Sequence, residues 1–230
     1  MTAHPFTFAG LHLQAFPSGA LWIAAEMTLV VSDLHFGKSD RIARRGGTLI
    51  PPYENTDTLE RLDADISKHS PATVICLGDS FDDLDGVAAL DDSHRATLTR
   101  LQAGRQWIWI EGNHDPGPVD VGGTHRAEVE IGNVAFRHIA TPATPEVSGH
   151  YHPKLAITGR SRPCFVYDKT RLILPAYGTY TGGLSAQHPD LRNLFADHAI
   201  AVMTGRKAIP VPLKRKVPQA LPGRWRGSRP

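Results

Sequence analysis

Three short runs of apolar and β-branched residues each break off abruptly into polar groups. Thr28-Leu29-Val30-Val31 leads into Ser32-Asp33-Leu34-His35, Thr73 to Leu77 leads into Gly78-Asp79, and Trp107 to Ile110 leads into Glu111-Gly112-Asn113-His114-Asp115. Such runs predict buried strands. Between the first two, Leu59, Leu62 and Ile66 recur at helical spacing, with Asn55 or Asp57 as the expected N-cap and Ser70-Pro71 as the end. A second helix is expected from Asp91 or Asp92 to Gln102, stopped by Gly104. This alternation predicts parallel pairing through right-handed crossovers, with ligands gathered in a crevice at the carboxyl ends of the strands.

The flanks read differently. Phe6 to Leu13 alternates weakly, and Pro17-Ser18-Gly19 marks a turn before Ala20 to Ile23, which predicts a hairpin on a sheet edge. Phe36 to Tyr53 reads as a loop with Gly46-Gly47 and Pro51-Pro52; its Lys38, Arg41, Arg44 and Arg45 form either a phosphate-contacting surface or a solvated basic loop. An acid-rich run, Asp82, Asp83 and Asp85, follows Asp79, and Pro116 to Gly123 is loop-like. Further on, Val129 to Arg137 predicts a hairpin turning at Gly132-Asn133 and ending at His138. Glu146 to Ser148 predicts a short strand feeding Gly149-His150-Tyr151-His152-Pro153, and Phe165 to Tyr167 pairs with Leu172 to Leu174 as another hairpin. A strand-rich second half predicts a second sheet stacked on the first.

Length and composition suit one α/β domain over residues 1–212, followed by a basic Pro/Arg-rich tail over 213–230. The formal net charge of +2 conceals an asymmetry. From Gly205 onward there are 8 basic residues and no acid, which leaves 17 basic against 23 acidic residues in the rest. A basic tail on an acidic body suits a polyanionic partner, or equally a solvated appendage. Cys76 and Cys164 are expected as two unrelated buried thiols. The first residues lack the basic and apolar regions of a signal peptide, and the longest apolar stretch, Leu21 to Val31, is interrupted by Glu26 and too short to span a bilayer. A cytoplasmic protein without membrane contact is expected.

The strand-end groups carry the chemistry. Residues i and i+2 of a strand share a face, so Asp33 and His35 are expected to leave the sheet as a carboxylate–imidazole pair. Collected with Asp79, Asn113, His114, His138, His150 and His152, they offer carboxylate, amide and imidazole donors for two divalent ions with one carboxylate bridging. This nitrogen and oxygen mixture favours Mn, with Fe or Zn also suitable, over Mg.

In order and local spacing these residues resemble the calcineurin-like metallophosphoesterases. The blocks are Asp33-x-His35, Gly78-Asp79-Ser80-Phe81-Asp82, Gly112-Asn113-His114-Asp115, the isolated His138 and Gly149-His150-Tyr151-His152. The resemblance implies a sandwich of two mixed β-sheets flanked by helices. It implies that Asp33, His35 and His152 hold one ion, that Asn113, His138 and His150 hold the other, and that Asp79 bridges them, with a bridging hydroxide as nucleophile. It further implies that His114 protonates the leaving oxygen and that Asp82 orients His114. A narrower resemblance, carried by Ser32 to Lys38, Leu77 to Phe81, Gly149 to Pro153 and Pro175 to Leu184, is to the ligase-associated DNA damage response endonucleases. That family implies DNA as substrate and association with a DNA ligase, a helicase and an exonuclease. Where that family carries His after Ser-Phe, this chain has Asp82-Asp83.

The function expected is therefore hydrolysis of phosphodiester bonds in DNA, with Lys38, Arg45, Tyr177 and Tyr180 as candidate substrate contacts. The alternatives are a phosphatase or diesterase for a small nucleotide or lipid head group, and an inactive metal-bound scaffold for repair proteins. The Pro175 to Leu184 segment, with Gly178, Gly182 and Gly183, either brings aromatic rings to stack on bases or forms a tight structural loop. Oligomeric state leaves no mark in the sequence.

Overall fold

The structure, a computed structural model, describes residues 2–83, 87, 90–117, 120–143 and 145–213. The tail from Lys214 onward and Asp85 of the acidic run lie outside them.

Among the described residues, two mixed sheets face each other. The first contains β1 (His4–Phe8), β2 (Leu11–Ala15), β3 (Leu21–Ile23), β4 (Thr28–Val31), β5 (Thr73–Leu77), β6 (Gln106–Ile110) and β7 (Thr124–Arg126), ordered in space as in sequence. Strands β1 to β4 pair antiparallel, so the expected edge hairpin is a meander; β4, β5 and β6 pair parallel, as the alternation predicted, and β7, which it did not predict, extends the parallel pairing. The second sheet contains β8 (Glu128–Ile131), β9 (Val134–Arg137), β10 (Glu146–Ser148), β12 (Arg160–Tyr167), β13 (Arg171–Ile173), β14 (Ile200–Met203) and β15 (Ile209–Pro212), with β11 (Lys154–Ile157) paired only to β12.

Two-residue alternation builds the layers. Val30, Ile75, Leu77, Ile108 and Ile110 point between the sheets and meet Val134, Phe136, Val147, Phe165, Leu172 and Val202. Leu29, Val31, Val74, Cys76, Trp107 and Trp109 point the other way, onto Leu59, Leu62 and Ile66 of α2 (Glu54–His69) and Leu98 and Leu101 of α3 (Asp92–Gln102). Each buried aliphatic side chain contributes about 1.5–3 kcal/mol. On the far face of the second sheet, Leu191 of α4 (Pro189–Arg192) and Phe195 close a third cluster. Both cysteines are buried and free, and no helix among the described residues is long and apolar enough to cross a membrane.

Three expectations need correction. Residues 36–53 are not all loop, because Lys38–Arg44 forms a helix, α1. Its stabilising anion comes from outside: the Glu54 carboxylate accepts from the Ser39 N–H at 2.9 Å and from its hydroxyl at 2.5 Å, countering the positive end of the helix. The N-cap of α2 is Tyr53, with no side-chain cap, rather than Asn55 or Asp57. Asn55 is buried and accepts from Gly37 N–H at 3.0 Å, while Asp57 pairs with Arg61. Asp91, by contrast, caps α3 as expected. The third correction concerns Asp33 and His35. Strand β4 ends at Val31, so both lie beyond it, with φ of 53° and 49°.

Candidate metal centre

The chain turns sharply where it leaves the strands. Ten described residues other than glycine have positive φ, and Asp33, His35, Asp79, His150 and His152 make up half of them. Such conformations cost on the order of 1–3 kcal/mol each and persist only where the surroundings impose them. Here the main chains of successive loops bind one another: Asp33 N–H donates to Gly78 O, His35 N–H to Asp79 O, Tyr177 N–H to Ser32 O and Gly149 N–H to His138 O. Asp33 and His35 thus converge through left-handed turns, not through strand alternation.

Two glycines make the close approach possible. A Cβ on Gly149 would lie 1.8 Å from Ser32 Oγ, and one on Gly112 would lie 2.1 Å from the Asp79 nitrogen. Neither position tolerates a side chain while the loops keep this spacing.

Two groups of donors result. In the first, His152 Nε2 lies 3.1 Å from Asp33 Oδ1 and 3.3 Å from His35 Nε2. In the second, His138 Nε2 lies 3.3 Å from Asp79 Oδ2, 3.3 Å from His150 Nδ1 and 2.9 Å from Asn113 Oδ1. His138 Nδ1 donates to the Leu77 carbonyl at 2.9 Å, so its Nε2 is the atom turned toward three other acceptors or imidazole nitrogens, carrying a proton there only while no cation takes its place. The Nδ1 of His35 sits 2.8 Å from Asp82 Oδ1, at an angle too bent for a straight hydrogen bond, and its Nε2 likewise faces a second imidazole. Donor atoms crowded in this way are held together by protons or by a cation between them. Donors each about 2.1 Å from a common ion would lie about 3.0–3.4 Å apart, which is the spacing found, and a second ring nitrogen held by a carboxylate or carbonyl is the usual support of a ligating histidine. The residues fit two divalent ions.

Burial and charge agree. Burial pushes the Asp33 carboxyl up, but His152, His138 and the Ser32 hydroxyl outweigh it and leave it below the ordinary carboxylate range. Burial also opposes ionisation of Asp79, which His138 and the His114 N–H nevertheless bring down to about 2. His138 is lowered by burial but raised to about 8 by Asp79, Asp33 and the Leu77 carbonyl. Burial holds His35 and His150 below the usual imidazole value.

A third cluster joins His35, Asp82 and His114. It is not a cation site, because the buried Asp82 carboxylate already meets Lys38 Nζ at 3.2 Å and Arg41 Nη1 at 2.9 Å. Burial raises Asp82, yet His35, Arg41 and Lys38 hold it far below the ordinary carboxylate value. The expected Asp82–His114 contact takes another form: His114 Nδ1 donates to the backbone carbonyl of Asp82 at 2.8 Å, while the carboxylate serves His35. That contact leaves His114 Nε2 3.9 Å from Asp79 Oδ2, with the ring about a quarter exposed.

Among the candidate substrate contacts, Tyr177 is ruled out for base stacking. It is fully buried, its hydroxyl donates to Asp65 Oδ2 at 3.0 Å, and Arg61 covers its ring. A tight loop is present at Gly178, but through close approach and not positive φ: a Cβ there would lie 2.0 Å from Leu34 O, and none of Gly178, Gly182 and Gly183 has a left-handed φ. Lys38 is committed to Asp82. Arg45 and Tyr180 are exposed.

The sequence assigned no role to Asp115, and to Arg41 only a place in a basic loop. The Asp115 carboxylate accepts from the N–H groups of Asp79, Ser80, Phe81 and Gly112 at 2.8–3.1 Å, holding the two ligand loops together. Burial, with the Asp79 charge beside it, pushes its carboxyl up to about 6 against those donors. Its place in the Gly-Asn-His-Asp block was the available signal. Arg41, hidden in the supposed loop, lies 3.4 Å from His114 Nδ1 as well as on Asp82.

Comparisons with known proteins agree with this geometry. The family described as calcineurin-like phosphoesterase matches over residues 27–198. Among solved structures, the crystal structure of Pseudomonas putida nuclease MPE is similar with a TM-score of 0.73 at 27% sequence identity, covering 91% of this chain and 100% of that one. A search of the curated proteins found no match.

Proposed function

The chain belongs to the calcineurin-like phosphoesterases, which makes it a phosphoester hydrolase, and on that footing we propose that it is a two-metal phosphodiesterase that cuts DNA. The observation that carries the two-ion reading is the crowding of nitrogen and oxygen donor atoms at about 3 Å in two adjacent groups, His35–His152–Asp33 and His138–His150–Asn113–Asp79. Similarity to a nuclease supports a polynucleotide substrate. Bound there, divalent ions would supply a nucleophilic water and neutralise charge on the phosphate; the donor set suits Mn best, with Fe or Zn acceptable.

The protein's own groups do the rest. Asp33, His35 and His152 would hold one ion, Asn113, His138 and His150 the other, with Asp79 as the shared carboxylate. His114 is the proton donor. Its Nδ1–H is fixed on the Asp82 carbonyl, so a proton carried at Nε2 is directed to the side of Asp79 where a leaving oxygen would sit. Asp82 keeps His35 aimed and holds Lys38 and Arg41 at the rim. Arg45 and Tyr180 are the exposed groups left to meet the flanking substrate. A role in DNA repair beside a ligase, a helicase and an exonuclease belongs to the same proposal and is supported by the motif resemblance.

The test is an assay of the Mn-loaded protein on a phosphomonoester, an aryl phosphodiester and DNA. Metal-dependent cleavage of the diester and of DNA is expected; cleavage of the monoester alone would overturn the proposal.

A further inference from the structure

We propose that the β11–β12 ribbon is an arm that binds the sugar–phosphate backbone of a polynucleotide at a distance from the cut. This rests on the reading of DNA as substrate and adds where the flanking strand runs.

The ribbon grows directly out of the metal centre. Two residues after His152 the chain enters β11, which pairs with β12 in the register Lys154↔Pro163, Leu155↔Arg162, Ala156↔Ser161 and Ile157↔Arg160, and whose base alone, at Lys154, is also bridged to Ser185. From Ala156 to Arg162 every residue is exposed. Beyond its anchored base at Lys154 and the buried Leu155, an exposed two-stranded ribbon gains little by itself, so its polar composition calls for an explanation. Residues 153–163 carry Lys154, Arg160 and Arg162 and no acid.

Its arginines also differ from the other cations near the site. Those of α1 are neutralised: Lys38 and Arg41 by Asp82, and Arg44 by Asp40 and Asp83. No carboxylate among the described residues pairs with Arg160, Arg162, Arg206 or Lys207. The last two belong to the same surface, because Cys164 pairs with Met203 and a Cβ on Gly205 would touch Arg162 Nη1 at 2.8 Å. Between them lies a groove of about 360 Å³ lined by Ile157, Thr158, Arg160, Arg162, Met203 and Ile209. Unpaired guanidinium groups above an open groove complement a run of phosphates, which guanidinium binds through two parallel N–H donors.

Reach decides which phosphates. Ile157 lies five positions beyond His152, or about 16 Å of extended chain. At about 3.4 Å per charge along one strand of B-form DNA, the arginines at the tip lie about five phosphates from the cut. Substrates shorter than that would not feel them.

The experiment compares the metal-loaded wild type with Arg160→Ala/Arg162→Ala on oligonucleotides extended stepwise from two to about twelve nucleotides. In the wild type, KM should fall steeply once the strand passes about five nucleotides on one side. In the double variant that gain should disappear, and the slope of log K against log salt for a long strand should shrink by up to about two. Arg160→Lys/Arg162→Lys should restore most of both, which separates charge from fold, and an unchanged unfolding midpoint checks the same point. If the wild type gains with length and the alanine variant gains equally, with the same salt slope, the ribbon is not the arm. If the wild type cleaves a small diester but neither binds nor cuts any oligonucleotide, both the arm and the DNA reading fall.

Discussion

The two donor groups of the metal centre are built to the same spacing but supported in opposite ways. His138 is aimed by a backbone carbonyl, that of Leu77, which no substitution can remove. His35 is aimed by a side chain, the Asp82 carboxylate, which is itself pinned by Lys38 and Arg41. Both supports come from the segment at the end of β5, on either side of Asp79. The His138 group is thus as rigid as the sheet, whereas the His35 group depends on a charge network reaching to α1 and the protein surface. A substitution on α1 can therefore alter one half of the centre and spare the other.

The largest effect should come from Asp79, the residue proposed to be shared by both halves. Asp79→Asn is expected to abolish turnover and to bring bound metal below two per chain, measured by elemental analysis after gel filtration. Two ions and full activity in that variant would remove Asp79 from its bridging place.

Next comes His114, which touches neither donor group as a ligand. His114→Ala should keep both metals and lose on the order of 10²–10⁴-fold in rate on DNA. An aryl phosphodiester with an activated leaving group should lose far less, since that group departs unprotonated. A uniform loss across both substrates would contradict the proton-donor role.

The contrast in support is tested by Asp82→Asn. Affinity at the His35 group should drop by about 10–100-fold, with the other group unaffected, so a metal titration should split into two unequal phases. If both affinities fall together, the two halves are not independent and the comparison fails.

The smallest effect is one of pH in the metal-free protein. His138 stands at about 8 in the fold against an ordinary value near 6.5, so the charged form is stabilised by folding. That contribution, up to about 2 kcal/mol, is fully present below pH 6.5 and lost as pH rises through 8. His35 and His150, shifted downward, act in the opposite sense and below pH 6.5. Chelator-treated protein should therefore lose unfolding temperature between pH 6.5 and 8, and Asn substituted for His138 should flatten that interval. An equally steep slope in the variant would assign it to other groups.

The candidate site was legible because its residues cluster in short blocks: Asp33 and His35, Asn113 to Asp115, His150 and His152 each declare themselves within a few positions. The parallel core was legible too, since β4, β5 and β6 are buried on both faces and leave near-continuous apolar runs. Elements held by distant partners were not. Helix α1 depends on Glu54 and Asn55, strand β7 is three residues long with none buried, and β15 carries Pro210 and Pro212, tolerable only at a sheet edge.

The division follows from range. Local order along the chain determined which donors exist, which strands they follow and, from the apolar runs around them, that two thiols are buried. Only the tertiary structure decided that Asp33 and His35 meet through left-handed turns, that the Asp82 carboxylate serves His35 while its carbonyl serves His114, that Tyr177 packs inward on Asp65, and that the arginines of α1 are neutralised while those of the β11–β12 ribbon stand free. Each of those outcomes depends on which opposite charge or hydrogen-bond partner arrives from a remote segment, and a pairing energy between distant residues leaves no periodicity for a sequence to display.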